Sequence, residues 1–150
     1  MFADEMYSRS QVSYALAEFA LTKTEYARAL AIADEMLARL RPGSVTVSIP
    51  WLLFQKSRAL AGLARHTEAR AVLQQARQRA ESANQRTILW RILAAQAALS
   101  GDVAEALALR DQAHVLLEFI VAHAPSDEWR STFLARPDVR TLLAHVEASP

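Results

Sequence analysis

The sequence predicts an all-α protein built as an array of antiparallel helix pairs. Three observations carry that expectation. Alanine and leucine, both strong helix formers, supply 30 and 20 of the 150 residues. Glycine and proline together contribute only 8, too few for a loop-rich chain. Apolar residues recur at three- and four-residue steps between short capping and turn signals, the pattern of helices that each bury one face.

The elements follow in order. A first helix is expected over about Asp4 to Leu21, with Tyr7, Val12, Ala15, Leu16, Phe19 and Ala20 forming its buried face. Thr22-Lys23-Thr24-Glu25 reads as a capping box that opens a second helix. That helix carries Tyr26, Ala29, Leu30, Ala33, Leu37 and Leu40 and ends at Arg41-Pro42-Gly43, where proline restricts the residue before it and glycine accepts a left-handed exit. Ser44 to Ser48 is β-like but short and isolated, and is expected as an ordered linker. Pro50 suits the first turn of a third helix, about Pro50 to Ala64. A fourth is expected from Glu68 to Ser82 and a fifth from Gln85 to Leu99. Asp102-x-x-Glu105 caps a sixth, from Val103 to about His123. Ser126 caps a seventh over Asp127 to Leu134, and Pro137 starts a last one through Val146.

Short connections make successive helices antiparallel, and helix pairs in series raise the question of a repeat. Ala29, Ala69 and Ala106 each follow a turn and an acidic residue. Twelve residues before each stands Ala17, Ser57 or Ala94, and seven after each stands Met36, Ala76 or Ala113. Small residues at matched offsets let paired helices approach closely. Ala69, Ala94 and Ala106 are therefore expected to be buried at helix crossings. The whole chain reads as a single repeat domain with pairs over about 4–41, 50–82 and 85–123. A cap over 126–147 should cover the sixth helix with Phe133, Leu134, Leu142 and Leu143.

Charge and composition narrow the function. The net charge is +1, spread as −1, +6 and −4 over successive thirds. The basic middle third is read as a solvated face balanced by acidic neighbours, because no aromatic and basic residues interleave as they do on an RNA-binding surface. With no cysteine, disulfides and thiolate zinc sites are excluded. His114 and Glu118 share a helix face, but two ligands do not make a metal centre. Neither a nucleophile elbow nor a phosphate-binding glycine loop occurs, so the chain is expected to be neither an enzyme nor a cofactor binder. The longest apolar run, Val115 to Ala124, is too short to span a bilayer, and the acidic start is unlike a signal peptide. A cytoplasmic setting without membrane attachment is the resulting expectation.

Several segments carry a family resemblance. They are Pro50-Trp51-Leu52-Leu53, Ala59 to Ala69, Leu89-Trp90-Arg91-Ile92-Leu93, and the closing Trp129-Arg130-Ser131-Thr132-Phe133-Leu134-Ala135-Arg136-Pro137-Asp138-Val139-Arg140. From about residue 10 to residue 145 the chain resembles the C-terminal tetratricopeptide region of large bacterial regulatory ATPases. These include cyclase-associated ATPases and LuxR-type transcriptional regulators. The third pair, with Trp90, Leu93, Ala94, Ala97, Gly101, Ala106 and Ala113, carries nearly the full repeat pattern. The resemblance implies a right-handed superhelical array that serves signal transduction as a docking arm. Its partner would be a protein, a peptide or other domains of a longer parent chain. It also implies a concave face lined by the first helix of each pair: Gln11, Tyr14 and Glu18, then Trp51, Phe54 and Arg58, then Ile88, Arg91 and Ala95. Tyr14, Glu18, Phe54, Arg58 and Arg91 are the candidate binding residues, with the arginines offering forks to a carboxylate. The alternative reading is a sensor domain that holds a small metabolite between helices.

Overall fold

The computed structural model describes residues 2–40 and 46–147, with side chains over 11–40 and 47–145. Among the described residues eight α-helices form: α1 (Phe2–Thr22), α2 (Tyr26–Arg39), α3 (Ile49–Gly62), α4 (His66–Ser82), α5 (Arg86–Leu99), α6 (Val103–Ala122), α7 (Asp127–Leu134) and α8 (Pro137–Glu147). No strand occurs among the described residues. Thr46–Ser48 makes one turn of 3-10 helix ahead of α3. The expected helix end at Arg41-Pro42-Gly43, and the start of the linker after it, lie outside the described residues.

The chain divides into two compact units, Met1–Asn84 and Gln85–Pro150. In the first, α1 packs on α2, α2 on α3 and α3 on α4. Ala20, Leu21, Ala29 and Ala59 form one cluster with Tyr26 and Leu30 against it. Leu52, Leu60, Leu73 and Ala76 are buried on α3 and α4. In the second unit α5 packs on α6, and α6 on α8. Its core joins Trp90, Leu93 and Ala97 to Ala106, Leu109, Ala113 and Leu117. Phe133, Val139 and Leu142 complete it, with Leu134 and Leu143 packed against it. All four side chains that the sequence assigns to the cap thus join or pack against this core, with α8 on α6 and Phe133 of α7 against Trp90 of α5.

The repeat register appears in the burial. Ala17, Ala29 and Met36, then Ser57, Ala69 and Ala76, then Ala106 and Ala113 are all buried. Ala94 is the exception. It was expected at a tight crossing and is only partly buried, packed at the edge of the second unit's core.

A backbone turn replaces one expected capping motif and recurs later in the chain. Thr22 was expected to cap α2, but it is the last residue of α1 and its Oγ1 donates to the Phe19 carbonyl at 2.7 Å. The chain reverses instead at Thr24, in the left-handed region at φ 58°. There Glu25 N–H reaches Ala20 O at 2.9 Å and Thr24 N–H reaches Leu21 O at 3.1 Å. These two bonds close a helix with backbone groups alone. The same pair recurs forty residues on: Ala64 has φ 59°, Arg65 N–H bonds to Leu60 O at 2.9 Å and Ala64 N–H to Ala61 O at 3.0 Å. This second turn ends α3 at Gly62 and starts α4 at His66, two residues earlier than the sequence suggests at each boundary.

In the third pair the turn is closed by side chains. Gly101 does not adopt the left-handed region. Asp102 Oδ1 accepts from Ala104 N–H at 2.8 Å and Glu105 N–H at 3.2 Å, as its capping signal predicts. Ser126 caps α7 in the same way, accepting from Trp129 N–H at 3.1 Å.

The larger correction concerns α1. Most of its expected buried face is turned to solvent: Val12 is 60% exposed, Leu16 47% and Phe19 54%, and Ala15 is exposed as well; Ala20 is buried as expected, and the Tyr7 side chain lies outside the described residues. Ala17 and Leu21 are buried beside Ala20, and Ala20 and Leu21 cluster with Ala29 of α2 and Ala59 of α3. Small side chains there bring the helices close, which leaves the larger apolar ones on the outer side. Among the described residues, no helix is long and apolar enough to cross a membrane.

Candidate functional site

The first helices of the first two pairs, α1 and α3, bring the candidate residues of the first unit together. Tyr14 and Trp51 meet edge to face, with ring centroids 5.8 Å apart and planes at 85°. Arg58, two turns after Trp51, lays its guanidinium over the Phe54 ring at 5.7 Å. Its Nη1 donates to both carboxylate oxygens of Glu18 at 2.8 Å. The five side chains Tyr14, Glu18, Trp51, Phe54 and Arg58 form one continuous patch, and all are half-buried. Gln11, one helical turn before Tyr14, is exposed.

Gln55 lies beneath this patch, a role with no sign in the sequence pattern. It is 1% exposed. Its Nε2 donates to the Tyr14 carbonyl at 3.0 Å and to Glu18 Oε2 at 3.2 Å. Both partners are acceptors, which fixes the orientation of the amide. Its Oε1 is buried and has no hydrogen-bond partner among the described residues. A polar residue in mid-helix is ordinarily a surface residue. Only the arrival of α1 forty residues earlier in sequence makes this one interior.

The electrostatic consequence is specific. Arg58 and Glu18 are a partly solvated pair, with side chains 37% and 36% exposed. Such a pair contributes little to stability, and both of its charged ends stay within reach of solvent. Arg58 is therefore a fork that already holds a carboxylate, supplied by its own chain.

Arg91, on α5 in the second unit, is held differently. Its Nη2 sits 3.0 Å from Asp138 Oδ2, and the side chain is only 15% exposed. Arg136 reaches the same carboxylate oxygen at 2.9 Å. The Arg91 guanidinium also stands 5.5 Å above the Trp90 ring, and Trp90 meets Phe133 edge to face at 6.4 Å. Arg91 is thus tied into the contact between α5 and the closing helices. Asp138 belongs to the closing segment, where nothing local marks it as the partner of Arg91. Ile88, placed on the concave face with Arg91, is fully buried. Ala95 is half-buried.

Trp90 is a core residue, and Trp129 stacks on Phe133 at 4.9 Å while remaining 39% exposed. His114 and Glu118 come to 3.9 Å. No group of three or more potential metal ligands occurs among the described residues. No family model, curated protein or solved structure matches the chain.

Proposed function

We propose that this chain is a tetratricopeptide-like, right-handed array of helix pairs. In this reading it is a non-enzymatic docking module of a bacterial signal-transduction ATPase or transcriptional regulator. The α1–α3 patch is its peptide-binding surface, taking an extended or helical segment with an apolar anchor and a carboxylate. The observation that carries this reading is the Glu18–Arg58 pair set among Tyr14, Trp51 and Phe54. Aromatic rings supply area at small entropic cost, and the arginine supplies a directed partner for an acid. The buried repeat register and the two matching turns support the array architecture.

Binding on this surface works by exchange. A carboxylate from the partner replaces Glu18 on the Arg58 fork, and the apolar anchor covers the Tyr14–Trp51 edge. The amide of Gln55, bonded to the Tyr14 carbonyl and to Glu18, holds α1 and α3 in the register that presents both.

The test is selection of peptides from a random display library on the intact protein, followed by amide chemical-shift mapping of the strongest binder. Shifts centred on residues 11–18 and 51–58 support the reading. A library that yields no binder, or one whose shifts fall elsewhere, contradicts it.

A further inference from the structure

The reversal between α1 and α2 is made at Thr24 and Glu25. Lys23 N–H still bonds to Phe19 O at 3.1 Å, and Ala29 N–H to Glu25 O at 3.0 Å, as within helices. Between them stand Thr24, at φ 58°, and Glu25, at φ −82° and ψ 60°, both outside the helical region. Among the described residues, Thr24, Ala64 and Asn84 are the non-glycine positions with left-handed backbone. Asparagine tolerates that conformation and alanine does so at a moderate cost. Threonine is β-branched, and for such a side chain the conformation is an outlier. The strain of unit 1 is thus concentrated at the α1–α2 turn.

The same segment accepts helix. Thr22-Lys23-Thr24-Glu25 contains neither glycine nor proline. Glu25 gives the start of α2 no side-chain cap. Wound into helix, the segment offers the carbonyls of Thr22, Lys23 and Thr24 to the amides of Tyr26, Ala27 and Arg28, four residues on. It also releases Thr24. α1 and α2 then run on as one helix, and α1 leaves its seat on α2 and α3.

That seat is specific to the sequence of α1. Trp51 meets Tyr14, Gln55 donates to the Tyr14 carbonyl and to Glu18, and Arg58 donates to Glu18. Ala29 and Ala59 cluster with Ala20 and Leu21. The α1 of a second copy brings the same side chains to the same partners.

We propose that this chain exchanges α1 with a second copy. The turn over 22–25 is the hinge. In the exchanged dimer, Tyr14 and Glu18 of each copy complete the Trp51–Phe54–Arg58 patch of the other. Because an identical element is exchanged, the contacts of the seat are remade, and the two states differ only at the hinge and in the association itself. The inference stands on the turn and on the seat of α1, whatever the patch binds.

A charge exchange tests it. Glu18→Arg sets two arginines against each other at this contact, and Arg58→Glu sets two glutamates. Either protein alone keeps its like charges together, closed or exchanged. In an exchanged dimer with one copy of each, the substituted position 18 meets the substituted position 58, and native Glu18 meets native Arg58. The two proteins, one labelled with nitrogen-15, are unfolded together, refolded at high concentration and weighed by native mass spectrometry. The mixed dimer should exceed either homodimer by at least about fivefold, against roughly twofold for random mixing. In the otherwise unaltered protein, Thr24→Gly relieves the left-handed residue and disfavours the continuous helix. It should weaken dimerisation by more than about tenfold while the closed monomer melts no lower. Random mixing overturns the proposal. So does an unaltered protein that stays monomeric after refolding at high concentration, or a dimer that Thr24→Gly leaves unchanged.

Discussion

Gly62, at the end of α3, lies against the ring of Tyr26 on α2 so closely that a Cβ would overlap the ring carbons Cγ, Cδ1 and Cε1. Gly62 is helical, so glycine is required there by the approach of the ring and not by the backbone. Gly62→Ala would gain about 1 kcal/mol of helix propensity and lose more to overpacking, which typically costs 1–3 kcal/mol. Urea unfolding should show net destabilisation. With Tyr26→Ala in place, the same change should become stabilising by about 1 kcal/mol. Destabilisation in both backgrounds would mean that the ring is not the obstacle.

Gly101 presents the opposite case. Its Cβ would meet nothing within 4 Å and its φ is not left-handed, so Gly101→Ala should stabilise by about 0.5 kcal/mol. Ala64, by contrast, is an alanine at φ 59°. Left-handed backbone costs a non-glycine residue roughly 1–2 kcal/mol, and Ala64→Gly should recover about 1 kcal/mol of it. Thermal melts of the two variants check both signs.

The two side-chain caps should be worth similar amounts. Asp102→Ala removes both acceptor bonds at the start of α6, and Ser126→Ala removes the one at α7. Each should cost about 1 kcal/mol in chemical unfolding, within the range for N-cap loss. Asp102→Asn, which keeps an acceptor, should cost less.

At the start of α4, the Glu68 carboxyl is held below its ordinary pKa, chiefly by hydrogen bonds from Arg65; desolvation opposes this, and the charges of Arg65 and Lys56 add smaller parts to the lowering. Arg65 donates to both oxygens, from Nε at 2.7 Å and Nη2 at 2.6 Å. A carboxyl depressed in the folded state stabilises above its unfolded pKa, and that contribution is lost as pH falls through the folded value. Carboxyl-carbon NMR should place the Glu68 midpoint below that of an ordinary glutamate, and Arg65→Ala should move it upward. An unmoved midpoint would remove Arg65 as the cause.

What the sequence revealed depended on whether the signal was local. The starts of α6 and α7 were legible because Asp102 and Ser126 act on amides two or three residues away. The turns at Thr24 and Ala64 were not, because no glycine marks a left-handed residue there and their bonds are all backbone. The repeat offsets located eight buried small or flexible positions, yet they overstated Ala94. The apolar period of α1 was real but only Ala20 of it was placed correctly among the described side chains: Val12, Leu16 and Phe19 recur as a core face would and are exposed, while Ala17 and Leu21 are buried with Ala20. Tyr14, Glu18, Phe54 and Arg58 could be placed by repeat register. Their joining through Gln55, and the Arg91–Asp138 contact, depend on helices some forty residues apart in sequence and leave no local trace.

If a partner binds by exchange as proposed, Glu18 competes with it for Arg58. The decisive measurement is the dissociation constant of a selected acidic peptide, by isothermal titration calorimetry, for the unaltered protein, Glu18→Gln and Arg58→Ala. Glu18→Gln frees the fork and should tighten binding by about three- to tenfold, whereas Arg58→Ala removes a charge-assisted contact and should weaken it by roughly tenfold or more. If both changes weaken binding alike, the pair serves only to hold α1 against α3, and the exchange mechanism is contradicted.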